Sequence, residues 1–234
     1  PGASAARNVG LREAAAPVVL FLGDDILASP RLLAEHAAWH ARLPDEHVAV
    51  LGHVRWARRL RRTAFMAWLE RGIQTDYGSI DGDRAGWGHF YTTNVSVKRA
   101  FALRAGGFDE DLPFLYEDLD LARRLHDLGL DLRYAREAEA EHLHPATLED
   151  WRRRMEAVGA AERAFADKHP DFAPYFHERL GRAAHGEPAK GRGARLAAIV
   201  PRELPWLGPR VWASAETYFA QQLWPSFEKG YEGR

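Results

Sequence analysis

The apolar run Val18-Val19-Leu20-Phe21-Leu22 follows Pro17 and stops at Gly23-Asp24-Asp25. A run apolar on both faces and entered through a proline predicts a buried parallel strand. Parallel strands need crossover helices to bring the chain back, so this feature commits the chain to an α/β architecture. The flanks agree. Ser4 to Ala15 reads as a helix, and Ser29-Pro30 offers N-cap and first-turn signals for a second helix through about Arg42. The chain therefore opens helix–strand–helix, half of an α/β unit without its first strand.

Further along, His47 to Trp56 reads as a strand and Thr63 to about Thr75 as a helix with Phe65, Trp68, Leu69 and Ile73 on one face. A Gly/Asp-rich loop, Tyr77 to Gly88, precedes a strand-like Phe90 to Val97. Lys98 to Arg104 is a short helix stopped by Gly106-Gly107, and Tyr116 to Leu128 a helix ended by Gly129. Asp131 to Ala135 and Ala138 to His144 read as two short strands. Thr147 caps a long helix to about Lys168, with Glu149 and Asp150 suiting its dipole. The Gly/Ala/Lys/Arg-rich stretch 183–195 reads as a flexible linker. A tail follows, 196–234, with a helix from about Arg210 to Leu223. Its apolar set (Val211, Trp212, Tyr218, Phe219, Leu223, Trp224) needs a surface, which the domain itself, another domain or a membrane face would supply.

Thirty-two basic against 33 acidic residues leave a net charge of -1, so no global field favours nucleic acid. Local basic patches occur at Arg58-Arg59-Leu60-Arg61-Arg62 and Trp151-Arg152-Arg153-Arg154. There is no cysteine, which excludes disulfides, thiolate nucleophiles and zinc–sulfur sites. No apolar run approaches the ~20 residues of a bilayer span. The opening residues do not read as a signal peptide. The expected location is the cytoplasm, or the inner face of the membrane if the tail associates peripherally.

Four constellations carry chemistry. Asp24 and Asp25 repel one another at a strand end, where α/β folds place ligands; a hard divalent cation such as Mg²⁺ or Mn²⁺ would relieve that repulsion. A turn or cap role is the plainer alternative, weakened because Ser29 offers a cap. Glu117-Asp118-Leu119-Asp120 opens a helix, where acids suit the dipole without any catalytic reason. Asp120 has Arg123 and Arg124 within helical reach. Asp118 has Leu121, Ala122 and Leu125 at helical spacing, so it lies on or beside the buried face, where desolvation raises a carboxyl pKa toward that of a general base. His142 and His144 alternate onto one strand face and would serve a metal or a phosphate, or would be edge histidines with no such role. Arg7, near a helix start, would clamp a diphosphate or decorate the surface.

These pieces occur in one order, and in that order the chain resembles the inverting glycosyltransferases of family 2, which have the GT-A nucleotide-sugar-binding fold. The resemblance runs from about Gly2 to Gly159. It rests on Ala5-Ala6-Arg7-Asn8-Val9-Gly10, on the strand ending in Gly23-Asp24-Asp25, and on Thr93-Asn94-Val95-Ser96-Val97-Lys98-Arg99. The remaining motifs are Gly106-Gly107-Phe108-Asp109-Glu110, Glu117-Asp118-Leu119-Asp120-Leu121 and Glu141-His142-Leu143-His144.

The resemblance implies a mixed sheet flanked by helices, a partial catalytic domain over 1–182, and a nucleotide-diphosphate-sugar donor with a carbohydrate or lipid-linked acceptor. It implies that Asp25 holds the metal and Asp24 the ribose or metal, with Arg7 and Asn8 near the nucleotide. Asp118 is the implied base and Glu117 orients the acceptor. His142 or His144 contributes to the metal or diphosphate, and Asn94, Gly106 and Gly107 shape the floor between donor and acceptor. Gly23 stands where many relatives have a first Asp. Relatives also begin with a nucleotide-gripping strand and loop that nothing here matches, so an amino-terminal truncation is expected. A metal-dependent phosphohydrolase or nucleotidyltransferase, and a degenerate carbohydrate-binding fragment, are the competing readings.

Overall fold

The computed structural model describes residues 2–112 and 115–233. They form two compact units, Pro1–Leu60 with Thr75–His144, and Arg61–Gln74 with Pro145–Arg234. The boundaries read from the sequence, at 182 and 195, do not coincide with this division.

The first unit is a mixed sheet flanked by helices, the architecture the sequence predicts. Its elements are α1 (Ala3–Glu13), β1 (Val18–Leu22), β2 (Ile26–Ala28), α2 (Leu32–Arg42), β3 (Val48–Trp56), β4 (Arg84–Ala85), β5 (Asn94–Lys98), α4 (Arg99–Arg104), α5 (Glu117–Asp127) and β6 (Asp131–His142); α3 (Ala64–Leu69) belongs to the second unit. Strand order is β1-β5-β3-β6-β2, with β4 also on β6. β1 and β3 each pair antiparallel with β5, and β3 pairs parallel with β6. β1, β3 and β6 therefore run in one direction and end at one edge of the sheet, where β5 begins.

Alternation along the strands divides the core. Ala49, Leu51, Val95 and Val97 face a cluster containing Leu11, Phe101, Leu121 and Leu125 from the helices. Val48, Val50, Ala135 and Ala138 face the other way, toward Trp39 and Leu43 at α2. On that second face the buried groups are partly polar. The Ser96 hydroxyl meets His36 Nδ1 and His40 Nε2, each at 2.8 Å. The Asn94 amide donates to the Ala138 carbonyl at 2.9 Å, and its oxygen lies 3.0 Å from His36 Nε2. The pairing register of β6 on β3 shifts between Gly52 and His53, so that Ala135 and Glu139 face neighbouring residues. A Cβ on Gly52 would stand 2.1 Å from Asn94 Nδ2 and 2.6 Å from the Ala138 carbonyl, so only glycine lets the amide cross.

The second unit is helical: α3, α6 (Leu148–Lys168), α7 (Tyr175–Ala184), α8 (Gly191–Leu196) and α9 (Leu207–Glu232). Thr63 and Thr147 cap α3 and α6 through Met66 N–H and Asp150 N–H, each at 3.1 Å. α6 and α9 approach through Gly159 and Gly230, where a Cβ would overlap the facing helix backbone. Phe65 and Trp68 meet Phe219 with ring centroids 5.2 and 5.3 Å apart. The buried Glu162 accepts from Phe176 N–H and His177 N–H at 2.7 and 2.8 Å, satisfying the open end of α7.

Several local expectations change. β1 is a half-buried edge strand paired antiparallel, not a buried parallel one: two apolar faces reveal burial propensity but not the number or sense of neighbours. Ser29 is not the cap of α2; the chain first forms β2 against β6, and the helix starts at Leu32. α3 ends at Leu69, well short of Thr75, and β5 starts at Asn94 rather than Phe90. The two expected strands after Gly129 are one, β6, which ends at His142. The stretch read as a linker contains α8. The tail helix runs longer than expected, through Pro225, with Val211, Trp212, Phe219, Leu223 and Trp224 buried in its own unit.

Candidate active site

Parallel strands ending together leave unpaired turns at their carboxyl edge, and the Gly23-Asp24-Asp25 turn and His142 lie there. β1 leads into the Gly23-Asp24-Asp25 turn, with Leu22 paired to Asn94 at the start of β5. Gly23 N–H donates to the Thr93 carbonyl at 3.3 Å, tying that turn to the segment before β5. β6 ends on His142, which pairs in register with Trp56 at the end of β3 and with Ile26 at the start of β2.

Asp25 and His142 are brought together: Oδ2 lies 2.9 Å from Nε2. The Trp56 indole stacks on the His142 ring at 5.2 Å and 11°. His144 lies beyond the strand, exposed, with its ring 6.2 Å from that of His142. Asp24 is exposed. A Cβ on Gly23 would stand 3.0 Å from Ile26 Cγ1 and 3.1 Å from Asp25 Oδ1, so a side chain here would press on the Asp25 carboxylate. Among the described residues no group of three or more His, Cys, Asp or Glu converges as a metal site. One carboxylate oxygen and one imidazole nitrogen are donors that a divalent ion would accept.

α5 carries the remaining candidate acids. Its first-turn acids have distinct environments. Asp120 is buried and paired with Arg124 at 2.6 Å, and Arg124 also donates to the Gly107 carbonyl at 2.7 Å. Arg123 reaches Asp127 instead. Glu117 is buried, receives Arg7 Nη1 at 2.7 Å, and accepts from Leu115 N–H at 2.7 Å. Leu115 has a φ of 107°, a strained conformation for a branched side chain. Asp118 is pushed up to about 7, first by burial and then by the neighbouring Glu117 carboxylate. The backbone N–H groups of Leu119 and Thr92 and the charge of Arg7 oppose that rise. Thr92 N–H weakly favours the charged form of Asp118, and the next residue's carbonyl accepts from Gly23 N–H. Thr92 and Thr93 thus link the surroundings of Asp118 to the turn that carries Asp25.

Asn8, Gly106 and Gly107 form a joint. Asn8 donates to the Phe108 carbonyl and accepts from Phe108 N–H, both at 2.8 Å, and donates to Glu110 at 2.8 Å. Gly106 and Gly107 have φ of 90° and 68°, and a Cβ on Gly107 would stand 2.6 Å from Asn8 Oδ1. Asn94 is fully buried, its amide committed to His36 and Ala138. Sequence reasoning missed Trp56 and Thr92. Trp56 is singled out by strand register alone, and Thr92 by a backbone contact, neither of which leaves a mark in composition or spacing.

The model of the glycosyl transferase family group 2 matches residues 18–161. The validoxylamine A glucosyltransferase of Streptomyces hygroscopicus subsp. jinggangensis (strain 5008) is 30% identical over 200 residues, covering 73% of this chain and 46% of that protein. An uncharacterized glycosyltransferase, YfnE of Bacillus subtilis (strain 168), is 27% identical over 191 residues, covering 62% of this chain and 49% of its own. The chain thus spans about half the length of the curated relatives it matches. A crystal structure of S. aureus TarS 1-349 aligns with all of this chain and 72% of its own at 15% identity and a TM-score of 0.45, too loose a likeness to carry more. With a family model matched over more than half its residues, the chain belongs to the family-2 group of glycosyltransferases.

Proposed function

We propose that this chain carries the acceptor-activating and diphosphate-facing parts of an inverting transferase, which moves a sugar from a nucleotide-diphosphate-sugar to an acceptor hydroxyl. The observation that supports it most is Asp118. Its carboxyl accepts from Leu119 N–H at 2.9 Å and is tuned to about 7, and Thr92, which weakly favours its charged form, precedes the residue that ties down the Asp25 turn. A group titrating there is a base near neutral pH and still accepts a proton readily. In a single displacement Asp118 takes the acceptor hydroxyl's proton as that oxygen bonds to the anomeric carbon. The bond from that carbon to the diphosphate breaks, the nucleoside diphosphate leaves, and the configuration inverts. Glu117, clamped by Arg7, sets the position of the acceptor and, by its charge, the affinity of Asp118 for the proton.

Asp25 with His142 would hold Mg²⁺ or Mn²⁺, which when bound neutralises charge developing on the leaving diphosphate. His142 needs its Nε2 aimed at Asp25, and the Trp56 face fixes that ring plane. The test is calorimetry of donor binding with and without Mn²⁺. Asp25→Ala should abolish the Mn²⁺-dependent part. Equal wild-type binding in both conditions would remove the metal from the reading.

Gly23, in the place of a carboxylate, favours a second reading: a fragment that binds carbohydrate without turning it over. Incubation with nucleotide-sugars and acceptor separates the readings. Glycosylated acceptor supports transfer, binding without product supports the fragment, and released phosphate supports a phosphohydrolase.

A further inference from the structure

The segment from α8 to the start of α9 inverts the usual order of burial. Its small side chains face inward, with Ala194 1% and Ala197 3% exposed, while Ile199 is 77% and Trp206 84% exposed. Leu196, Leu204 and Leu207 are exposed as well. Folding ordinarily buries large apolar side chains first, so a group of exposed ones on successive turns marks a contact surface.

The segment is built, not loose. Trp212 Nε1 donates to the Val200 carbonyl at 2.9 Å. A Cβ on Gly208 would stand 2.2 Å from the Arg202 carbonyl, so the turn lies directly on the first residues of α9. Trp206 occupies the centre of a γ-turn: its φ is 67° and ψ -44°, and Leu207 N–H donates to the Pro205 carbonyl at 2.7 Å. Few side chains tolerate that conformation, and the residue held in it here is the most exposed large apolar one described.

The surrounding charge says what the patch meets. Lys190, Arg192, Arg195, Arg202 and Arg210 are all exposed, and Glu203 is the only acid between 190 and 210. A second copy of the same face would bring these cations against each other. A surface of lipid phosphates satisfies them, while indole and branched apolar side chains settle at headgroup depth. No helix among the described residues is long and apolar enough to cross a membrane, so the contact would lie on the surface. We propose that residues 190–210 form a docking surface for an anionic lipid bilayer, with Trp206 and Ile199 entering the interface and the flanking cations meeting lipid phosphates. The proposal does not depend on the transferase reading.

Vesicle flotation tests it with the chain as it stands, using equal parts phosphatidylglycerol and phosphatidylcholine against phosphatidylcholine alone. The chain should float with the anionic vesicles, and less so as salt rises. Arg195→Ala with Arg202→Ala should weaken partition roughly thirtyfold, from about 1 kcal/mol per cation. Trp206→Gly should lose flotation while its thermal midpoint holds or rises, because glycine adopts a positive φ without strain. The proposal is overturned by absence of flotation with anionic vesicles, by equal flotation with neutral ones, or by a Trp206→Gly chain that floats as well as wild type. A dimer in sedimentation velocity that Trp206→Gly dissolves, with no vesicle binding, would assign the patch to a second copy instead.

Discussion

Replacing Asp118 by asparagine should make the protein more stable and the enzyme worse, and the two effects have one cause. Burial and Glu117 move the carboxyl from its ordinary 3.8 to about 7. The native state therefore binds this proton more tightly than the unfolded chain does. Stability is full below the unfolded pKa, falls as pH rises toward about 7, and is level above it. A shift of about three units, at 1.36 kcal/mol each, sets an upper limit of ~4 kcal/mol for the cost of ionising the group. Residual solvent contact lowers that, so about 2–4 kcal/mol is expected. Asparagine keeps an acceptor for Leu119 N–H and never ionises. The variant should match wild type near pH 4 and exceed it by that margin near pH 8, in urea unfolding followed by circular dichroism. On the proposed function the same substitution should cut kcat by about 10²–10⁴ with donor affinity little changed, and the wild-type rate should rise with pH through about 7. A stability difference that does not vary with pH would refute the tuning argument. Undiminished turnover would remove Asp118 as the base.

Two further substitutions probe the frame behind the site. Gly52→Ala should destabilise the sheet unit by about 3 kcal/mol or more, because the new Cβ meets Asn94 Nδ2 at 2.1 Å and a fixed carbonyl at 2.6 Å. An unchanged urea midpoint would show that the amide does not cross there. His40 is lowered from 6.5 to about 4, by burial first and then by Lys98 and His36. The unfolded chain takes up this proton below about 6.5 and the native state does not, so stability falls as pH drops from there to about 4, by up to ~3 kcal/mol. His40→Leu, which leaves Ser96 bonded to His36, should lower the acid-unfolding midpoint, and an unmoved midpoint would refute the role.

Much of the local structure is legible because its causes are local. Thr63 and Thr147 cap their helices as side-chain chemistry requires, and Gly106, Gly107 and Gly129 end theirs at positive φ. The desolvation of Asp118 follows from Leu121, Ala122 and Leu125 at helical spacing, and the structure places a raised pKa there. Ser29 misled because the cap signal is local while β2 forms only through pairing with β6. The break expected near Arg136-Glu137 marks a real irregularity, but β3 keeps both halves in one strand. The segment 183–195 looked unstructured by composition, yet α8 forms where Ala194 finds a packing partner.

From sequence alone came the α/β class, the family resemblance and the identity of the acids and imidazoles, since these depend on residue type, order and short-range period. Tertiary structure alone decided that His142 rather than His144 meets Asp25, that Trp56 backs it, and that Glu117 is held by Arg7. Each of those outcomes is a matter of strand register or of helix placement against the sheet. Register and placement are set by the summed packing of distant residues, so no short stretch of chain encodes them.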